Sequence, residues 1–201
     1  MKFLCLTIIG LVGCVALATA AHAADHQYVG SSQCEDCHGR KEALTIIGPN
    51  GQKSNPMEIW KQDPHRKAFD ALESDWGKQA ARKVGLADGQ ADGAMCLTCH
   101  TTGAGSDSAP DPTEGVSCEA CHGAASDWVK KNVHGEIGND PAKMAAAVAA
   151  GMLDLRKMAV RQSNCENCHV IKRPCYRPSE QPFSVHLDRK FKHWQDNIPV
   201  L

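Results

Sequence analysis

Aromatic side chains are scarce: Phe, Trp and Tyr make up 5% of the 201 residues. A chain so poor in large apolar rings, with 17 Gly, 10 Pro and 22% charged residues, builds a thin core by itself and needs covalent or cofactor staples. An excess of one charge is lacking too. The formal net charge is −1, which argues against a nucleic-acid partner and against steering by a field of one sign. Beyond the N-terminal leader no run approaches the roughly 18 apolar residues that a membrane span requires, so no span is expected. Alternating strand patterns longer than a few residues are also missing.

What is present begins with the leader. Residues 1–23 carry Lys2, an apolar run and a small-residue tail, Ala21-His22-Ala23, which reads as a signal peptide cut after Ala23. That leaves residues 24–201 as one exported domain, periplasmic or extracellular. A rival reading makes Leu11-Val12-Gly13-Cys14 a lipoprotein signal with a lipid anchor at Cys14.

Of the 11 cysteines, Cys5 and Cys14 lie in the leader and eight others fall in pairs of one form. These are Cys34-Glu35-Asp36-Cys37-His38, Cys96-Leu97-Thr98-Cys99-His100, Cys118-Glu119-Ala120-Cys121-His122 and Cys165-Glu166-Asn167-Cys168-His169. Each is CxxCH, the attachment signature of c-type haem. Two thiols one turn apart add across the two vinyl groups of one haem edge, and the next residue's imidazole reaches the iron. Zinc and disulfides are the bland alternatives, and neither explains a fourfold His directly after the second Cys. The expected cofactors are four covalently bound haems c. Cys175 is left without a partner, as an idle or buried thiol or an intermolecular disulfide.

Haem iron has two axial positions, and His38, His100, His122 and His169 would fill one each. A distal His or Met makes a closed electron carrier, whereas an open position can bind a small molecule. The remaining candidates are His26, His65, His134, His186 and His193. Asp63 as N-cap and Pro64 as first helical residue fix His65 on a helix start, expected to run to about Glu73. His134 follows a short capped helix from Ser126 with Trp128 as its packing residue. His186 and His193 share one face of an expected helix, about 10.5 Å apart along its axis. His26 would be loose, or ligate a haem after the terminus docks. Met57, Met95, Met144, Met152 and Met158 are weaker ligand candidates and read as core.

The fold expected is mainly α with long loops, wrapped around four haems. Helices are expected over Ser74–Val84 and, longest of all, from Asp140-Pro141 to about Arg161. Only 17 residues separate His100 from Cys118, against 57 and 42 in the other two gaps, so the middle two sites should be closely linked.

One arrangement of these features is familiar. CxxCH, then Trp60-Lys61-x-x-x-His65-x-Lys67-Ala68, CxxCH, Gly115-Val116-Ser117-Cys118-Glu119-Ala120-Cys121-His122-Gly123 with His134 twelve residues on, and a last CxxCH resemble the cytochrome c-554 family over roughly Ser31 to His169. The resemblance implies haems stacked in close pairs, with His65 on the fourth haem and His134 on the first. It also implies electron transfer from hydroxylamine oxidoreductase, and a second haem, at Cys96, Cys99 and His100, without a distal ligand. The chain is similar as well to filament-forming tetrahaem cytochromes of the OmcE type, in which a neighbouring subunit donates a ligand. It departs from the ammonia-oxidiser pattern in its neutral charge and in the insertion Leu44 to Asn55. Three functions follow: an electron carrier that is not an enzyme and meets redox partner proteins, a filament protomer, and a haem enzyme reducing a small nitrogen species at an open second haem.

Overall fold

The computed structural model describes residues 26–39, 46–47, 53–87, 93–135, 137, 140–169 and 173–175. Residues 1–23, His186 and His193 lie outside them.

The described chain is mainly helical and built from short pieces. Helix α1 is Ser31–His38, and strands β1 (Ile46–Ile47) and β2 (Lys53–Ser54) pair antiparallel. Then come α2 (Pro56–Gln62), α3 (Asp75–Lys83), α4 (Ala94–His100), α5 (Cys118–His122), α6 (Pro141–Ala149) and α7 (Met158–Glu166), with single 3-10 turns at Pro64–Lys67, Asp70–Glu73 and Pro112–Glu114. Their starts follow local chemistry. Asn55, Asp63, Ser74, Asp111 and Asp140 each accept a backbone N–H of the turn they open, and Pro sits first in four of those five turns, where its missing N–H costs nothing.

Three helical expectations are corrected. The stretch from Pro64 to Glu73 forms two 3-10 turns rather than one helix. Residues 126–131 form turns rather than a short helix. The long helix expected from Pro141 to Arg161 is two helices, α6 and α7. Gly151 takes φ 100°, and the Leu153 N–H donates to the His122 carbonyl at 2.9 Å. That tertiary bond draws the chain onto motif three, and glycine is the residue that tolerates the left-handed turn required to reach it.

The core is as thin as the composition implies. One cluster joins Leu72 and Ala81 with Phe69, Leu86, Cys96 and Leu97, tying α3 to the motif-two helix. Another joins Ile137, Met144 and Ala147 with Val133 and Met152. Among the described residues no helix is long and apolar enough to cross a membrane.

Candidate haem-binding site

Every CxxCH motif closes on a helical turn. His38, His100 and His122 end α1, α4 and α5, and beyond α7 the His169 N–H donates to the Cys165 carbonyl at 2.9 Å. One turn of helix brings the two thiols of each motif to the same side and leaves the imidazole projecting beyond them.

Two of the four motif imidazoles face a second imidazole from far along the chain. His38 and His134 have ring centroids 5.8 Å apart, and His65 and His169 have theirs 5.9 Å apart, with interplanar angles of 61° and 73°. These are the pairs that the resemblance implied: His134 with motif one and His65 with motif four. Two metal–imidazole bonds of about 2 Å each, plus roughly 1 Å from each Nε2 to its ring centre, separate such centroids by about 6 Å. Edge-to-face ring packing alone reaches similar distances.

The surroundings of both pairs fit a bound haem. Burial holds His38 and His134 below the usual imidazole range, with the His38 charge a further cause for His134, so both are presented neutral, the form that binds metal. Beside this pair, the buried His38 Nδ1 and the Trp128 indole Nε1 have no hydrogen-bond partner, and the Trp128 ring lies 5.2 Å from that of His134. Buried N–H groups without acceptors mark a place for a missing polar group, and haem carries carboxylates.

His65 is held firmly. Its Nδ1 and its backbone N–H both meet Asp63 Oδ1, at 2.6 Å and 2.9 Å. The turn that carries it is docked by three bonds: the Val116 N–H to the His65 carbonyl at 3.0 Å, Trp60 Nε1 to the Val116 carbonyl at 2.9 Å, and Arg66 to the Thr113 carbonyl at 2.6 Å. The sequence reading gave Asp63 only its capping role. An acid two residues before a candidate ligand was the signal for the second, since metal-bound imidazoles usually donate their other N–H to such a group.

His100 follows the same rule, with its Nδ1 2.6 Å from the Ala68 carbonyl. The His26 Nδ1 lies 2.9 Å from Asp127 Oδ2, and its ring packs on Gly151, where an added Cβ would stand 2.6 Å from the imidazole. The N-terminal segment is docked rather than loose, and Glu119 is the reason. This buried carboxylate, one of the intervening residues of motif three, accepts the backbone N–H groups of Val29, Gly30 and Ala125 at 2.8–3.1 Å. Sequence reasoning passed over it.

The thiols show how the motifs neighbour one another. Helix α1 packs on α5, so motif one lies against motif three, and the neighbouring Cys118 thiol together with burial pushes the Cys34 thiol up. The Cys99 thiol lies 3.9 Å from the Asn167 carbonyl, which sets motif two against motif four; burial, then the charge of Cys99, pushes Cys168 up to about 12. The Asn164 side chain donates to the Ala120 carbonyl at 3.3 Å, which brings α7 and motif four to motif three; burial, then the charge of Cys165, pushes Cys121 up to about 12. Between motifs two and three, expected to form a closely linked pair, the bonds run between flanking residues. Thr102 and Ser117, just outside them, are joined hydroxyl to hydroxyl at 3.0 Å, and the Ser117 N–H donates to Thr102 at 2.7 Å. Among the described residues no group of three or more His, Cys, Asp or Glu is arranged around a bare metal ion.

A family model described as cytochrome c554 and c-prime matches residues 33–123. The chain resembles the cytochrome c-554 family. The matched stretch holds three of the four CxxCH motifs, and the fourth lies beyond it. Cytochrome c-554 of Nitrosomonas europaea is 29% identical over 109 residues, which cover 50% of this chain and 40% of that protein. No solved structure matches. The family supports covalently bound haem c in a c-type cytochrome, and the paired imidazoles beside paired thiols are the residues here that suit it.

Proposed function

We propose that this protein is an exported tetrahaem c-type cytochrome that carries electrons in the periplasm or outside the cell. Cys34 and Cys37, Cys96 and Cys99, Cys118 and Cys121, and Cys165 and Cys168 bind the four porphyrins, and His38, His100, His122 and His169 are their proximal ligands. His134 is the distal ligand of the first haem and His65 that of the fourth. The carrying observation is the pair of facing imidazoles, His38 with His134 and His65 with His169, at 5.8 Å and 5.9 Å. Haem supplies one-electron chemistry, and the protein sets spacing, exposure and potential.

The neighbouring motifs give the electron a path. Helix α1 packs on α5, the Asn164 side chain of α7 donates to the Ala120 carbonyl of motif three, and Cys99 of motif two lies 3.9 Å from the Asn167 carbonyl of motif four, so the order one, three, four, two is continuous. Imidazole on both faces keeps potentials low, because a Met ligand is what raises them. The leader at residues 1–23 supplies export, and redox proteins are the partners.

The test is a haem count by mass and pyridine haemochrome, with a redox titration. Four haems per chain, all well below a His/Met cytochrome in potential, are expected. A colourless protein, or positive potentials throughout, would refute the reading.

A further inference from the structure

One carboxylate oxygen makes two bonds on the turn that carries His65. Asp63 Oδ1 accepts the His65 backbone N–H at 2.9 Å, which caps the turn, and it meets the His65 Nδ1 at 2.6 Å. A carboxylate has no hydrogen to give, so the ring proton stands on Nδ1 and the lone pair is left on Nε2, the nitrogen then suited to a metal. The Asp63 side chain is 10% exposed, so water and salt screen its charge little. Arg66, the adjacent cation, is committed elsewhere: its guanidinium donates to the Thr113 carbonyl at 2.6 Å and lies 5.4 Å from the centre of the Trp60 ring. His100 supplies the contrast within the same molecule. Its Nδ1 is 2.6 Å from a neutral acceptor, the Ala68 carbonyl, whereas the acceptor at the same distance from His65 is charged.

We propose that Asp63 is a positioning residue that tunes the fourth haem: by holding the Nδ1 proton of His65 it strengthens Nε2 as a donor and lowers the reduction potential of the haem attached to Cys165 and Cys168. This rests on the reading of His65 as the distal ligand opposite His169, whose ring centroid is 5.9 Å away. A carboxylate that accepts from one imidazole nitrogen raises the basicity of the other, and such hydrogen bonding is one of the levers on a haem's potential. The proton stays on the ring, and no covalent bond is made or broken at Asp63. Motif four meets motif three through Asn164 and Ala120, and motif two through Asn167 and Cys99. A haem of lowered potential at that place in the path passes its electron to a neighbour on either side rather than holding it.

The experiment is a potentiometric titration of the holoprotein, with electron paramagnetic resonance of the oxidised state, on wild type, Asp63→Asn and His65→Ala. Asparagine keeps an oxygen that caps the turn as well as aspartate does and can still accept from the ring, so the substitution removes the charge alone. In Asp63→Asn one haem per chain is expected to titrate at a higher potential and to widen its g-value spread, while the other three hold their potentials and every spin state matches wild type. In His65→Ala one haem per chain should turn high-spin. Potentials in Asp63→Asn equal to wild type, all four displaced together, or one haem turned high-spin would overturn the tuning role of Asp63 alone. Spin states unchanged in His65→Ala, or no haem on Cys165 and Cys168 by mass, would overturn the ligation by His65 and this proposal with it.

Discussion

Glu119 shows how much a single buried carboxylate can organise. It is 2% exposed, and its two oxygens satisfy three backbone N–H groups, from Val29, Gly30 and Ala125. Glu119→Gln keeps the shape but turns an NH2 toward one of those donors, leaving a buried group unsatisfied at a cost of about 1–3 kcal/mol. Urea unfolding of the holoprotein should show that loss, with the haem spectra little changed. Asp154 gives a pH-dependent counterpart. Arg156 donates to both of its oxygens at 2.8 Å and 3.2 Å and holds this buried carboxyl below the usual range. A folded-state pKa below the unfolded one stabilises fully above the unfolded value of about 3.9 and loses that stabilisation as pH falls through the folded value. Asp154→Asn should therefore lower the urea midpoint at neutral pH and approach wild type in strong acid. Equal differences at both pH values would contradict the linkage.

The short elements at the site depend on close backbone approach. Gly115 takes φ 65°, and a Cβ there would stand 2.7 Å from the carbonyl oxygens of both His65 and Arg66. Those carbonyls belong to the turn that carries His65, and the adjacent Val116 N–H bonds one of them. Gly115→Ala thus adds left-handed strain of roughly 1–2 kcal/mol and pushes the His65 turn away from motif three. We expect a lower melting temperature together with one haem per chain gaining high-spin character, that at His169. A lower melting temperature with every haem still low-spin would separate the packing role of Gly115 from His65 ligation. The break between α6 and α7 has the same origin, a glycine at positive φ that lets backbone meet backbone beside His122.

At the scale of the whole molecule, the two small apolar clusters among the described residues are little to set against the entropy of ordering them. Covalent haem has to supply the remainder, by cross-linking and by burying porphyrin against the helices. Replacing the eight motif cysteines by Ala should leave a chain without cooperative thermal unfolding by circular dichroism, while the haem-loaded protein melts in one transition. Sharp melting of the haem-free chain would show that the protein core suffices. The sequence by itself determined the cofactor chemistry, because CxxCH spacing, the capping residues and the position of His65 after Asp63-Pro64 are local facts. It also determined the thinness of the core, which is composition. It could not determine which motifs become neighbours, since the 17 residues between motifs two and three say nothing of the packing of α1 on α5 or of Cys99 on the Asn167 carbonyl. Nor could it break the helix at Gly151 or bring the Cys175 carbonyl to the Trp76 indole. Those outcomes depend on hydrogen bonds and thiol contacts between residues far apart in the chain, and local propensity carries no record of them, so only the tertiary structure decided them.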